Sequence, residues 1–415
     1  VRILFYGQSI TEQKWTKIVA DDLKQRFPHA NLLIENRAIG GHASQLLVKT
    51  SEADLYPFQP DLLIFYVYGA HDKYEEILRS VRERTCAEIL QQNDHVTKDS
   101  DFTEETDPAK LPPRGDHWNA FMNHNFLPSV AKKYGTEFCD QRGLWKTYLR
   151  DHNLKPSDLL RDGVHLNAHG EFLMAEIVKA YLRYDSKLGP SPAEEWVKTY
   201  EVGKNAQWRD GKLALEFSGN RVDVLCKTGE AAPAAVLIDG KKPSEFAGCY
   251  GFTRASAYPG MNWPCLLRVQ SQALLQVEDW SATLREISAD ARTFKFSVRG
   301  SLTGDDGEGD SSSKFVSKSG RIVIAPDDWN LVFARSVSSK WPNAKPLADG
   351  FETKWRAVRR SADEFASPGV KDASIETTVT LAQGLPNTKH VLEISGGAQV
   401  PVAAIRVYSP PLAGK

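Results

Sequence analysis

At 415 residues, with 52 Lys and Arg against 53 Asp and Glu, the chain is long enough for two or three domains of ~100–200 residues each and carries no charge excess that would draw it to nucleic acid or an anionic surface. No stretch approaches the ~18 apolar residues of a membrane-spanning helix. Five cysteines without a Cys-x-x-Cys or a histidine at metal spacing argue against a disulfide framework or a zinc site, and leave Cys249 and Cys265 as either a pair in an oxidising compartment or buried free thiols.

Val1 to Phe5 is an apolar run interrupted only by Arg2, and Gly7, Gln8, Ser9 and Ile10 follow at once. That pattern predicts a buried parallel strand ending in a tight turn. Thr11 to Arg26 sets Trp15, Ile18, Val19 and Leu23 at helical spacing. Leu32 to Ile34 reads as a second strand leading to Gly40 and Gly41, a pair suited to a loop whose backbone N–H groups face a ligand. A helix over 44–53 and a third strand over 62–67 continue the alternation, which predicts a parallel sheet covered on both faces. Helical spacing returns from Lys73 to Gln92. Asp94 to Asp116 then loses periodicity and reads as a long surface loop, either a solvated excursion or a substrate lid. Asp116 and His117 close it, but adjacent residues on a helix do not face each other, so they make a poor catalytic pair. A helix over 119–133, a strand over 136–139 and a helix over 145–150 lead to the Asp162–His165 loop, and a helix over 169–184 ends a first domain at 1–188.

Gly189, Pro190, Ser191 and Pro192 mark a linker. Beyond it, alternating segments at 213–217, 221–225, 235–238, 293–298, 321–324, 376–381, 390–394 and 404–408 predict an all-β sandwich over 193–415, with an elaboration at about 250–350. Seven of the ten tryptophans fall in this region, where they are either core residues or stacking surfaces for sugar rings. The acid-rich run Thr303–Asp310 reads as a solvated turn or a calcium loop built from Asp305, Asp306, Glu308 and Asp310.

The chemistry concentrates in the first domain. A serine at the carboxyl end of a parallel strand sits at the mouth of the crevice where α/β proteins bind ligands. Asp162 and His165 bring an acid and an imidazole three residues apart into a loop. Ser9, His165 and Asp162 thus supply nucleophile, base and orienting carboxylate.

Four blocks in order carry a family resemblance. Gly7-Gln8-Ser9-Ile10, Asn36-Arg37-Ala38-Ile39-Gly40-Gly41, the run from Pro60 to Asp72, and Asp162 to His165 resemble blocks I, II, III and V of the SGNH (GDSL) hydrolase superfamily. The resemblance covers roughly the first 185 residues. It implies a flavodoxin-like three-layer α/β/α domain and the catalytic residues Ser9, Asp162 and His165. The oxyanion hole it implies is made by the N–H groups of Ser9 and Gly41, with His71 where the family has a side-chain amide donor. Gln8 replaces the usual Asp, as in some carbohydrate acetylesterases of the superfamily. The β region resembles the carbohydrate-binding jelly rolls found beside such esterases.

These features lead to the expectation of a serine esterase that removes an acyl group, acetyl foremost, from an oligo- or polysaccharide, with neither metal nor organic cofactor. A lipase-like or aryl esterase with the same triad, and a glycan-binding protein or glycosidase on a repurposed scaffold, are the alternatives. The chain starts at Val1, inside a predicted strand, so the native start and any signal peptide are expected outside this sequence. The activity suggests a secreted or periplasmic setting, with a cytoplasmic one left open. Oligomeric state is not legible.

Overall fold

In the computed structural model the first half of the chain is built on five parallel strands: β1 (Arg2–Gly7), β2 (Leu33–Asn36), β3 (Leu62–Tyr66), β4 (Glu88–Gln92) and β5 (Glu137–Cys139), in the spatial order β2-β1-β3-β4-β5. Residues 1–412 are described, apart from 114, 184–186, 188, 190, 259–260, 341–345 and 373. Between the strands run α1 (Trp15–Arg26), α2 (Ser44–Asp54), α3 (His71–Arg84), α4 (Trp118–Phe121) and α5 (Leu127–Tyr134), followed after β5 by α6 (Gln141–Asp151) and α7 (Ala168–Tyr181). Strand alternation sends Ile3, Phe5 and Ile64 to one face, where they pack with Trp15 and Val19 of α1, Trp145 of α6 and Met174 of α7. Tyr6 and Phe65 point to the other face, where Tyr74 of α3 meets Phe65 and the Tyr6 hydroxyl donates to the Leu47 carbonyl of α2. Each fully buried side chain of this kind contributes about 1.5–3 kcal/mol. The result is the doubly wound, three-layer α/β/α arrangement implied by the sequence blocks, with a reversal of strand order beside β1.

One element differs from its expected form. Residues 73–92 are not one helix: α3 stops at Arg84 and the buried strand β4 follows. Gln91 and Gln92 made β4 look polar, yet both are buried and each amide has a side-chain partner, although Gln92 Oε1 has none among the described residues. The Tyr74 hydroxyl donates to Gln91 Oε1 at 2.6 Å, and Gln92 Nε2 donates to Gln141 Oε1 at 2.6 Å. The long segment after β4 is also tied down in its first half. Buried Arg142 pairs with Asp101 at 3.1 Å and with Glu104 at 2.6 Å, and Lys146 and His124 also reach Glu104. The expected helix over 119–133 contains a π-helical turn, Met122–Phe126, between α4 and α5. Pro190 of the expected linker and Tyr184, the expected end of the closing helix, lie outside the described residues.

The chain forms two compact units, one of Val1–Val48, Phe58–Arg82 and Cys86–Ala193, the other of Lys49–Pro57, Glu83–Thr85 and Glu194–Lys415. The second is rich in antiparallel strands. It opens with α8 (Ala193–Trp196), β6 (Val197–Glu201), β7 (Trp208–Arg209), β8 (Lys212–Cys226), β9 (Ala234–Ile238), β10 (Tyr250–Phe252), β11 (Glu278–Arg285), β12 (Lys295–Gly300) and β13 (Gly304–Asp310). It continues through β14 (Phe315–Val316), β15 (Val323–Ile324), α9 (Leu331–Ser338), β16 (Glu352–Arg359), β17 (Glu364–Phe365), β18 (Thr378–Ser395) and β19 (Val402–Tyr408). The order β17-β9-β18-β8-β19-β6 forms one sheet, and β10-β16-β11-β12-β13 a second, each with its own hydrophobic cluster. The segments expected as separate strands at 213–217 and 221–225 are one strand, β8, and those at 376–381 and 390–394 are one strand, β18. The two pair along their length with register shifts at Thr380/Ala382 and Gln383/Thr388.

The stretch expected as an elaboration at 250–350 supplies four of the five strands of the second sheet. Within it Thr303–Asp310 is neither a turn nor a calcium loop. Gly304–Asp310 is strand β13, in which Asp305 pairs with Arg299, Glu308 with Arg285, and buried Asp306 accepts from Ser319. Asp310 accepts from the Ser312 N–H at 2.9 Å, so each of the four carboxylates has a separate partner. Cys249 and Cys265 are free and buried. Of the described tryptophans beyond residue 190, Trp280 and Trp355 are buried and the rest half-buried; Trp341 lies outside the described residues.

Candidate active site

Ser9 sits in the turn that follows β1. The turn closes through Thr11 N–H and Glu12 N–H, which both donate to the Gln8 carbonyl, and through Trp15 Nε1–H, which donates to the Ile10 carbonyl at 2.6 Å. Gly7 is required here: a Cβ would lie 2.1 Å from the Tyr66 carbonyl oxygen of the neighbouring strand. Gln8 turns its amide away from Ser9 and donates to the Tyr68 carbonyl at 2.9 Å.

The loop after β2 stays bonded to β1, with Arg37 N–H on the Phe5 carbonyl and Ile39 N–H on the Gly7 carbonyl, each at 3.0 Å. Asn36 fastens it to the serine turn by donating to the Thr11 carbonyl at 2.6 Å. Gly40 N–H is taken by the Glu12 carboxylate at 2.9 Å, whereas Gly41, at φ 73°, is exposed. Among the described residues neither the Ser9 N–H nor the Gly41 N–H has a hydrogen-bond partner.

From the far end of the unit, His165 Nε2 comes to 2.9 Å from Ser9 Oγ, and its Nδ1 lies 3.0 Å from Asp162 Oδ2. Asp162 Oδ1 also accepts the backbone N–H groups of His165 at 2.7 Å and Val164 at 2.9 Å. Those two backbone bonds, with a smaller contribution from the imidazole, hold the Asp162 carboxyl down at about 2. The site is open: the His165 side chain is 30% exposed and that of Asp162 50%.

His71 begins α3 just beyond the end of β3. Its ring stacks on Trp118 at 5.2 Å and touches Phe121 and Phe126, the latter in the π-helical turn. Its Nε2 is buried without a hydrogen-bond partner among the described residues, and burial lowers its pKa, opposed by Asp72. His117 is exposed in a single 3-10 turn, and the Asp116 side chain lies outside what is described. Two residues that hold the site together, Gln13 and His95, escaped sequence reading, and Asn36 was read only as part of its block. Gln13 and His95 meet partners 153 and 69 positions away, so no local spacing announces them.

No family model matches the chain, and no curated protein does. Among solved structures it is similar to Axe2, an acetylxylan esterase from Geobacillus stearothermophilus, at 16% identity and TM-score 0.37, over 44% of this chain and 94% of that one. It is similar to LAE5, an alpha/beta hydrolase enzyme from the metagenome of Lake Arreo, Spain, at 17% identity and TM-score 0.35, over 43% of this chain and 93% of that one. A third is the acetyl xylan esterase AlAXEase, at 18% identity and TM-score 0.36, over 44% of this chain and 100% of that one. Each likeness spans less than half of this chain and more than nine-tenths of the other.

Proposed function

We propose that this chain is a serine esterase that removes an acyl group, preferentially acetyl, from a carbohydrate. The observation that carries the reading is the line from Ser9 Oγ through both nitrogens of His165 to Asp162, beside two unpartnered backbone N–H groups. The Ser9 hydroxyl donates to His165 Nε2, which takes the proton as Oγ attacks the ester carbonyl. Asp162 accepts from Nδ1–H and favours the imidazolium. The negative charge developing on the carbonyl oxygen meets the N–H groups of Ser9 and Gly41, and His71 Nε2–H is assigned as third donor. Collapse of the tetrahedral intermediate breaks the ester bond, and His165 returns the proton to the leaving sugar hydroxyl. Water then repeats the sequence on the acyl-enzyme, releasing the acid and free Ser9.

The shallow, half-exposed triad suits a bulky polar substrate better than a long acyl chain needing an enclosed apolar tunnel. Residues 1–188 carry this chemistry, and we assign 193–415 as a β-sandwich domain that supports it. Acetate release from a panel of acetylated polysaccharides, alongside short- and long-chain aryl esters, tests the reading. Ser9→Ala should abolish turnover with folding intact, since a small half-buried side chain adds little packing. Retained turnover would remove Ser9 as nucleophile. A preference for long-chain esters would replace the carbohydrate substrate with a lipid-like one.

A further inference from the structure

The proposed catalytic imidazole lies between two peptide units, and each is gripped by a buried side chain from elsewhere in the α/β unit. On one side, His95 Nε2 lies 2.8 Å from the Val164 carbonyl oxygen, and His95 is 1% exposed. A carbonyl only accepts, so this nitrogen carries the hydrogen. The other ring nitrogen, Nδ1, lies 2.9 Å from the Tyr66 hydroxyl and 3.2 Å from Asp94 Oδ1, and Tyr66 in turn donates to Asp94. The Asp94 N–H is held by Asn123 Oδ1 at 2.7 Å, and the His95 carbonyl accepts from Arg142 at 2.9 Å. The ring therefore cannot turn without breaking several bonds.

On the other side, the Gln13 amide makes two bonds to one residue. Nε2 donates to the Leu166 carbonyl at 2.9 Å, and Oε1 accepts from the Leu166 N–H at 3.1 Å. Glu171 Oε1 fixes the same Nε2 at 3.2 Å. Gln13 follows the serine turn by one short step of chain and is 8% exposed. The loop itself is exposed: Val164 is 51% exposed, and Gly163 beside it is exposed too. Residues 161–164 thus have few apolar contacts to keep them in place and rely on polar clamps from the unit's interior, whereas Leu166 behind His165 is also seated in the core.

Resting on the esterase reading, we propose that His95 and Gln13 are positioning residues that bracket His165, fixing the peptides before and after it so that the imidazole stays in line with Ser9 and Asp162. A displacement of about 1 Å at a reacting group costs on the order of 10²-fold in rate. The bracket thus acts on turnover and leaves substrate binding alone.

The test compares His95→Met and Gln13→Met, which remove the bonds with little change in volume, with His95→Gln, whose amide keeps a donor for the Val164 carbonyl. Steady-state kinetics on a short aryl acetate should show kcat lowered about 10–100-fold in each Met variant with KM within about twofold. His95→Gln should recover most of the loss. A kcat within twofold of the parent in both Met variants, or a Gln variant as impaired as Met, overturns the proposal. Where a Met variant fails to fold, Gln13→Ser decides: its side chain is too short to reach Leu166, and an unchanged kcat overturns the bracket. Ser9→Ala run in parallel separates the two claims, because turnover retained there removes the esterase reading itself.

Discussion

Replacing Asp162 by Asn changes one atom and should disable the proposed triad through the tautomer of its imidazole. In the parent, the Asp162 carboxylate accepts from Nδ1 at 3.0 Å, so Nε2 is left as the lone pair that faces Ser9 Oγ at 2.9 Å. An asparagine oxygen would still accept the backbone N–H groups of Val164 and His165, which now sit on Asp162 Oδ1 at 2.9 and 2.7 Å. That pins its amide nitrogen toward Nδ1, where it can only donate. His165 then carries its hydrogen on Nε2 and offers Ser9 no base. In serine hydrolases this exchange costs about 10⁴ in kcat, which at ~1.36 kcal/mol per decade is about 5.5 kcal/mol of transition-state stabilisation. Stability should change little, because the backbone bonds persist and the side chain is half exposed. Initial rates on an aryl acetate, with urea denaturation as the folding control, measure both quantities. A loss of less than tenfold in a folded variant would refute the role of Asp162. The depressed carboxyl adds a pH statement. Asp162 is ionised at every pH above its folded value of about 2, so it stays charged down through the range where an unperturbed Asp, near 3.9, protonates. Protonation of Asp162 should therefore contribute nothing to any loss of activity above about pH 4.

Two further predictions concern residues away from this line. His71→Ala should lower kcat about 10²–10³-fold with KM nearly unchanged, and His71→Asn should restore part of the loss; unchanged turnover in the alanine variant would leave the ring a packing partner of Trp118 and Phe126 only. Glu104→Gln should destabilise the α/β unit by about 3 kcal/mol at pH 7, because buried Arg142 loses its closest carboxylate and keeps only Asp101. Burial raises the Glu104 carboxyl, but bonds from Arg142, His124 and Lys146 outweigh it, so its pKa is depressed and its stabilisation is present above the ordinary carboxylate range and lost as pH falls through the folded value. Urea midpoints of parent and variant should therefore begin to converge as pH falls below the unfolded glutamate value of ~4.3 and go on converging toward the folded value, and parallel curves would contradict the assignment.

Local pattern revealed the parts of the site that local pattern builds. The apolar run of β1 and the glycines at 40 and 41 have near-neighbour signatures, and so does the Asp-x-x-His spacing. Strand β4 was hidden because Gln91 and Gln92 occupy buried positions with side-chain partners on α3 and α6, an arrangement that only tertiary structure supplies. The long β8 and β18 read as four strands because bulges interrupt their period-two alternation. The acid-rich segment of β13 looked like a loop because glycines alternate with acids in it, while its strand character comes from pairing with β12. Clamps such as Gln13 to Leu166 leave no trace in spacing, being single residues whose partners are set by the fold.

The 156 positions between Ser9 and His165 give the chain a temporal order as well as a spatial one. Synthesis proceeds from the amino end at roughly 5–20 residues per second, so Ser9 emerges well before His165 and, on the proposed reading, remains an ordinary alcohol while the sheet assembles behind it. Its proposed base, His165, arrives only when the loop before α7 has been made and docked. On the proposed esterase reading, a nascent or truncated chain lacking that loop should be chemically silent toward esters, however much of its sheet has formed, and the appearance of turnover should mark the closing of the α/β unit.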